Sequence, residues 1–136
     1  MRIELNETWS TTVGGEVAAG EVQRVDAVSA QRVGMEVARL QADGDDLAIY
    51  ELEIRTVAGA IVSTSVELFR GGEPWPLPAA TDDRIAWLSN LPPVCIHRAF
   101  AACLGNAAAA HDPTGDPEES DAVPTPPSTT GDPSGN

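Results

Sequence analysis

The stretch Leu47–Phe69, LAIYELEIRTVAGAIVSTSVELF, decides the fold. Leu47, Tyr50, Ile54, Val57 and Ile61 make a helical stripe, while Ala48, Tyr50, Leu52 and Ile54 fit one face of a strand equally well. Ala58, Gly59 and Ala60 suit a helix packed closely on a neighbour, and they also suit a turn between two strands. We read a helix to about Val62 and then an extended exit through Ser65 to Phe69, with a β-hairpin as the alternative.

Working back from this stretch, ADGDD breaks the chain and places Asp45 or Asp46 to cap the helix. Upstream, Val22, Val25, Val33, Val37 and Leu40 recur at roughly helical spacing and predict a helix from Glu21 to Leu40, although valine lowers helix propensity. TTVGG and AAG read as turn and loop. RIELNETW opens with Ile3 and Leu5 alternating with polar residues, which predicts a short strand.

Working forward, GGEPWPLP reads as an extended loop, because Pro74, Pro76 and Pro78 disfavour regular pairing. Thr81-Asp82-Asp83 resembles a helix start leading through DDRIAWLSN to an end near Asn90. Pro92 and Pro93 suit the first turn of a further helix. That helix turns Ile96, Ala99, Phe100 and Cys103 inward and ends at Gly105-Asn106. The expected fold is mainly α (α+β): a short N-terminal strand or hairpin with three to four helices over residues 1–111. Residues 112–136 hold six acids, six prolines and no base, with Ala122 and Val123 the only clearly apolar side chains. That composition cannot offset the entropy of ordering, so a disordered acidic tail is expected there. Its PTPP run has the composition of a polyproline II ligand for an aromatic groove, but we read it as part of a solvated tail.

Composition narrows the function classes. Apolar residues make up 42% of the chain but aromatics only 4%, so the core is built mainly from Val, Ala, Leu and Ile. The formal charge is −13, and all eight basic residues are arginine. Removing the six acids of residues 112–136 from the chain's 21 leaves 15 against eight arginines, so the domain alone stands at −7. A field of that sign repels phosphate backbones and anionic lipid, so neither nucleic acid nor membrane is expected as a partner. MRIELNETWS carries acids and no apolar core, so a secretory signal is not expected and a cytoplasmic location is.

Cys95, His97, Cys103 and His111 contain every cysteine and histidine of the chain. Their spacing lacks the paired Cys-x-x-Cys knuckle of a structural zinc site. On one helix, residues 95 and 97 point about 200° apart, and residues 95 and 103 lie about 12 Å apart along the axis. That separation also forbids a disulfide within an intact helix, and Cys95 with His97 fails as a nucleophile–base pair. Asp43, Asp45 and Asp46 lack the register of a calcium loop and read as capping and turn residues. No residue is assigned a catalytic, metal-binding or cofactor-binding role, and no cofactor is expected.

The aromatic residues say more. Trp75 sits in the proline-locked loop, and Trp87 and Phe100 lie on adjacent predicted helices. They either pin the loop to the domain or remain partly exposed as anchors for a protein partner. Trp75, Trp87 and Phe100 are therefore the candidate interface residues.

Residues 46–136 resemble, in pattern, the small tail assembly chaperones of siphophages and prophages. The extended SVEL (65–68), the GGEPWPLP loop (71–78), WLSNLPP (87–93) and the polar end carry the likeness. SVEL stands where those proteins have a tryptophan-bearing segment, and the N-terminal third matches poorly. The resemblance implies a non-catalytic protein in the host cytoplasm that keeps the tape-measure protein, or another tail protein, soluble during tail assembly. Self-association and a longer frameshifted product are further features it implies. Two other classes stand beside it: a structural virion component, such as a minor tail or head–tail connection protein, and a small metal- or thiol-dependent enzyme.

Overall fold

A computed structural model describes residues 1–111; the tail expected over 112–136, with its PTPP run, lies outside the described residues. The chain forms β1 (Asn6–Val13), β2 (Glu16–Gln23), α1 (Ala27–Asp43), α2 (Asp46–Ala60), β3 (Ile61–Thr64), β4 (Leu68–Arg70), β5 (Glu73–Trp75), α3 (Thr81–Leu88), α4 (Pro93–Cys103) and α5 (Ala107–Ala110). The mainly α, α+β expectation holds, with a hairpin at the N-terminus and the four-residue α5 as a fifth helix. Among the described residues no helix is long and apolar enough to cross a membrane.

The deciding stretch resolves as helix followed by strand. Asp45 caps α2 by accepting from the Ala48 amide at 3.1 Å. The helix buries Ile54, Val57 and Ala58, and the chain then straightens into β3, which pairs antiparallel with β2. The resulting sheet has the order β1-β2-β3. α4 lies over β1 and β2 and against α2, turning Cys95, Ile96, Ala99, Phe100, Ala102 and Cys103 into the core. Its start at Pro92-Pro93 follows the expected pattern.

Four local expectations are corrected. AAG is not a loop: Ala18, Ala19 and Gly20 lie within β2, and only Gly14-Gly15, both at positive φ, form the turn of a two-residue hairpin. The cause is Trp9, buried opposite Gly20, where a β-carbon would lie 2.6 Å from Trp9 Nε1 and 2.5 Å from the Ser63 carbonyl oxygen. Burying an indole contributes roughly 4–6 kcal/mol at most. Glycine in a strand costs about 1 kcal/mol, and leaving Trp9 Nε1 unpaired costs about 1–3 kcal/mol. The packing term therefore decides.

The helix expected from Glu21 begins instead at Ala27. Val22 is buried in β2, and Asp26 caps α1 by accepting from the Ser29 amide at 2.9 Å. The strand expected at Ile3–Leu5 starts at Asn6, and both apolar side chains are exposed. β2 ends at Gln23, and the Arg24 amide donates to the Leu5 carbonyl, so residues 1–5 have no strand left to pair with. The GGEPWPLP segment does pair. Gly71-Gly72 form a two-residue turn at positive φ, and Pro74 sits opposite Phe69. In such a hairpin the pair beside the closing residues exchanges no amide bonds, so proline's missing N–H is tolerated.

The Gly20 constraint yields a stability prediction. Gly20→Ala should lower the urea midpoint by the equivalent of about 2 kcal/mol or more, through overpacking against Trp9 and β3. Gly34→Ala, where a β-carbon meets nothing within 4 Å, should raise stability by up to about 1 kcal/mol as a helix-interior exchange. Equal midpoints for the two variants would refute the packing account.

Candidate interaction groove

β3 pairs with β2 on one side only. Its other side opens on a groove whose far wall is the β4–β5 hairpin and the proline segment that follows. The Ser65 amide makes the last bond to the sheet, donating to the Ala19 carbonyl at 2.8 Å. Thr64 Oγ1 then accepts from the Val66 amide at 3.1 Å, turning the chain away from β2. Between the two walls lies a cavity of about 480 Å³, lined by Val66, Phe69, Pro74, Trp75 and Leu77 together with the acidic Glu67. A smaller hollow of about 320 Å³, bounded by Val13, Val17 and Pro92, lies on the other flank of the Val66–Phe69 ridge. Phe69 borders both and is 63% exposed.

The groove is fixed from beneath by polar bonds. The Trp87 indole N–H donates to the Trp75 carbonyl at 2.7 Å, tying the hairpin to α3. Arg84 Nε donates to the Pro78 carbonyl at 2.8 Å, and its Nη1 donates to the Ile61 carbonyl at 3.1 Å. One guanidinium thus holds the proline segment and the start of β3 in fixed relation. On the surface, the Arg70 guanidinium stacks over the Trp75 ring at 3.9 Å, a cation–π contact.

The three candidate interface residues therefore occupy different levels. Trp87 is 1% and Phe100 9% exposed, and both belong to the core cluster. Trp75 is half-buried and packs against that core from the groove. Trp87 and Trp75 are joined by the indole bond; Phe100 is not part of the groove lining. Sequence reasoning overlooked Phe69 and Arg70. The signal was present in the Gly-Gly pair between LFR and EPW, a two-residue hairpin turn, but the three prolines outweighed it.

The four ligand-type residues are dispersed. Cys95 and Cys103 are buried in the core. His111 bonds Ser10 Oγ through Nδ1 at 2.7 Å, beside β1. His97 Nδ1 donates to Glu53 Oε1 at 2.6 Å, joining α4 to α2 through a glutamate that is only 9% exposed. The Tyr50 ring meets His97 edge-on, with centroids 5.9 Å apart. Burial, then the Glu53 charge, then Cys95 raise the Tyr50 hydroxyl above its usual range. Among the described residues no three His, Cys, Asp or Glu side chains are placed to hold a metal ion.

Burial raises both thiols, Cys103 to about 12. Thiolate, the nucleophilic form, is thereby suppressed. An unfolded thiol ionises near 8.5, so above that pH the native state holds more protons than the unfolded one and stability falls as pH rises toward 12. In urea titrations, Cys103→Ala should flatten this alkaline slope by up to about 1.4 kcal/mol per pH unit. A disulfide reagent at pH 8 should titrate both thiols only after unfolding. Rapid reaction of either thiol in the native protein would contradict the burial.

No family model matches the chain, and neither a curated protein nor a solved structure shows significant similarity to it.

Proposed function

We propose that the protein works without catalysis, by binding another protein, and that it is a tail assembly chaperone that keeps the tape-measure protein soluble in the host cytoplasm. The observation that carries this reading is the groove beside β3. An exposed Phe69, a half-buried Trp75 and a stacked Arg70 sit together on a scaffold held by Trp87 and Arg84. Aromatic and arginine side chains grouped beside an apolar cleft are the composition of binding hot spots. A scaffold set in advance lowers the entropy cost of association. The resemblance carried by SVEL, GGEPWPLP and WLSNLPP supports the identity of the partner. The charge of −13 suits a chaperone, because like-charged copies stay apart while an apolar cleft engages its client.

Co-expression with the tape-measure protein of the same genome tests this reading. The wild-type chain should raise the soluble fraction of that protein several-fold and co-purify with it. Phe69→Glu, on an exposed side chain that leaves the core intact, should abolish both effects while the circular dichroism spectrum is retained. An insoluble tape-measure protein in the presence of the wild-type chain would overturn the proposal. Abundant copies in purified particles would also overturn it, in favour of a structural virion component.

A further inference from the structure

A second hollow lies where the end of α1 meets the starts of α2 and α4. It measures about 470 Å³, is lined by Gln41, Asp46, Ile49, Tyr50, Pro93 and His97, and shares no lining residue with the β3 groove. Asp46, Ile49, Tyr50 and Glu53 follow one another along a single face of α2. Glu53 accepts from His97 Nδ1 at 2.6 Å, and in the neutral ring this leaves Nε2 as a bare acceptor. His97 is the open member of that pair, with 54% of its side chain accessible against 12% for Glu53. Among the described residues no ion pair engages Asp46.

The hollow is negative. Asp46 lines it, Asp45 precedes Asp46, and Glu53 is bonded to His97. Against these carboxylates, the starts of α2 and α4 each contribute about half a positive charge. Arg39, two residues before Gln41, is engaged by Glu36 and Asp43, and no arginine lines the hollow. The domain as a whole has the same sign, with 15 acids against eight arginines. Burial and then the Glu53 charge raise the Tyr50 hydroxyl, so the phenol stays neutral and its ring is free to meet a cation. A carboxylate, an aromatic face and a bare imidazole nitrogen beside one apolar wall select a flat cation with several N–H donors. A guanidinium has that form, whereas an ammonium is compact, strongly hydrated and makes less use of ring and wall. Ile49 and Pro93 suit the methylene stem of such a side chain.

We propose that this hollow takes an arginine side chain of a protein partner, with Asp46, the Tyr50 ring and His97 Nε2 as its contacts. Glu53 is the positioning residue, holding the His97 ring through Nδ1. The partner surface that fits is basic, and the acidic domain steers it inward. This goes beyond the reading of the β3 groove, and it stands or falls without the tape-measure protein. Exposed contacts of this kind each strengthen binding a few-fold, so an isolated side chain binds at about the millimolar level.

The chain has a single tyrosine, so labelling the full chain with 3-fluorotyrosine gives one fluorine NMR signal, that of Tyr50. Titration with N-acetylarginine methylamide should move this signal saturably, with a midpoint of about millimolar. Asp46→Asn should raise the midpoint about fivefold, and N-acetyllysine methylamide should need about threefold more than the arginine probe. Asp82→Asn, on the exposed start of α3, should leave the midpoint unchanged. With nitrogen-15 histidine, the saturating arginine probe should move His97 Nε2 toward the hydrogen-bonded range and leave His111 in place. A Tyr50 signal that never saturates, or that responds equally in Asp46→Asn, would overturn the proposal. Equal midpoints for the two probes would do so as well. A signal that moves with the concentration of the protein alone would also overturn it, by placing an arginine of a second copy in the hollow.

Discussion

The bond from the Trp87 indole to the Trp75 carbonyl joins the inside of this protein to the groove beside β3. Trp87 is a core residue, immobilised by the helices around it, and its N–H has to find an acceptor or incur the cost of an unmet donor. The acceptor it finds is the backbone of β5. The same bond that satisfies the core therefore sets the depth of the hairpin and the position of Trp75 in the groove. A segment with three prolines has few amides of its own to hold it, so an outside donor is what gives it a fixed place.

Arg84 extends the same principle. It spans the proline segment and the turn from α2 into β3, donating to carbonyls at both ends. The Ala58 carbonyl, in the last turn of α2, also lies within its reach at 3.4 Å. Helix-terminal carbonyls lack intrahelical partners, and a cation beside them is favourable both as a donor and through the helix dipole. One side chain thus closes a helix, steadies the strand that leaves it and anchors the wall of the groove. The two levels of structure, buried scaffold and open cleft, are linked by side chain-to-backbone bonds, while apolar packing supplies the bulk of the stability.

The helix–strand passage at 47–69, the caps at Asp45 and Pro92-Pro93, and the inward face of α4 were legible because each rests on local rules of periodicity and capping. What was not legible came from pairing across the chain. Val22 carries helical spacing with Val25 and Val33, yet the central place between β1 and β3 claims it for a strand. Gly20 reads as a loop residue until Trp9 is placed opposite it. Ile3 and Leu5 have the right alternation and lack only a partner strand. Within the groove, Trp75 was identified from its loop, whereas Phe69 and Arg70 required the hairpin. Trp87 was named as an interface candidate, and its burial instead makes it a core residue that supports the groove from below.

His111 sits beside Ser10 as a parallel bridge on the outer edge of β1, the edge of the sheet opposite β3. Among the described residues, Ala110 is the last member of the core cluster. The ring bonds of His111 to Ser10 at 2.7 Å and to Thr8 at 3.4 Å fasten the segment after α4 to the edge of the sheet, so α5 and the outer strand are held as one unit.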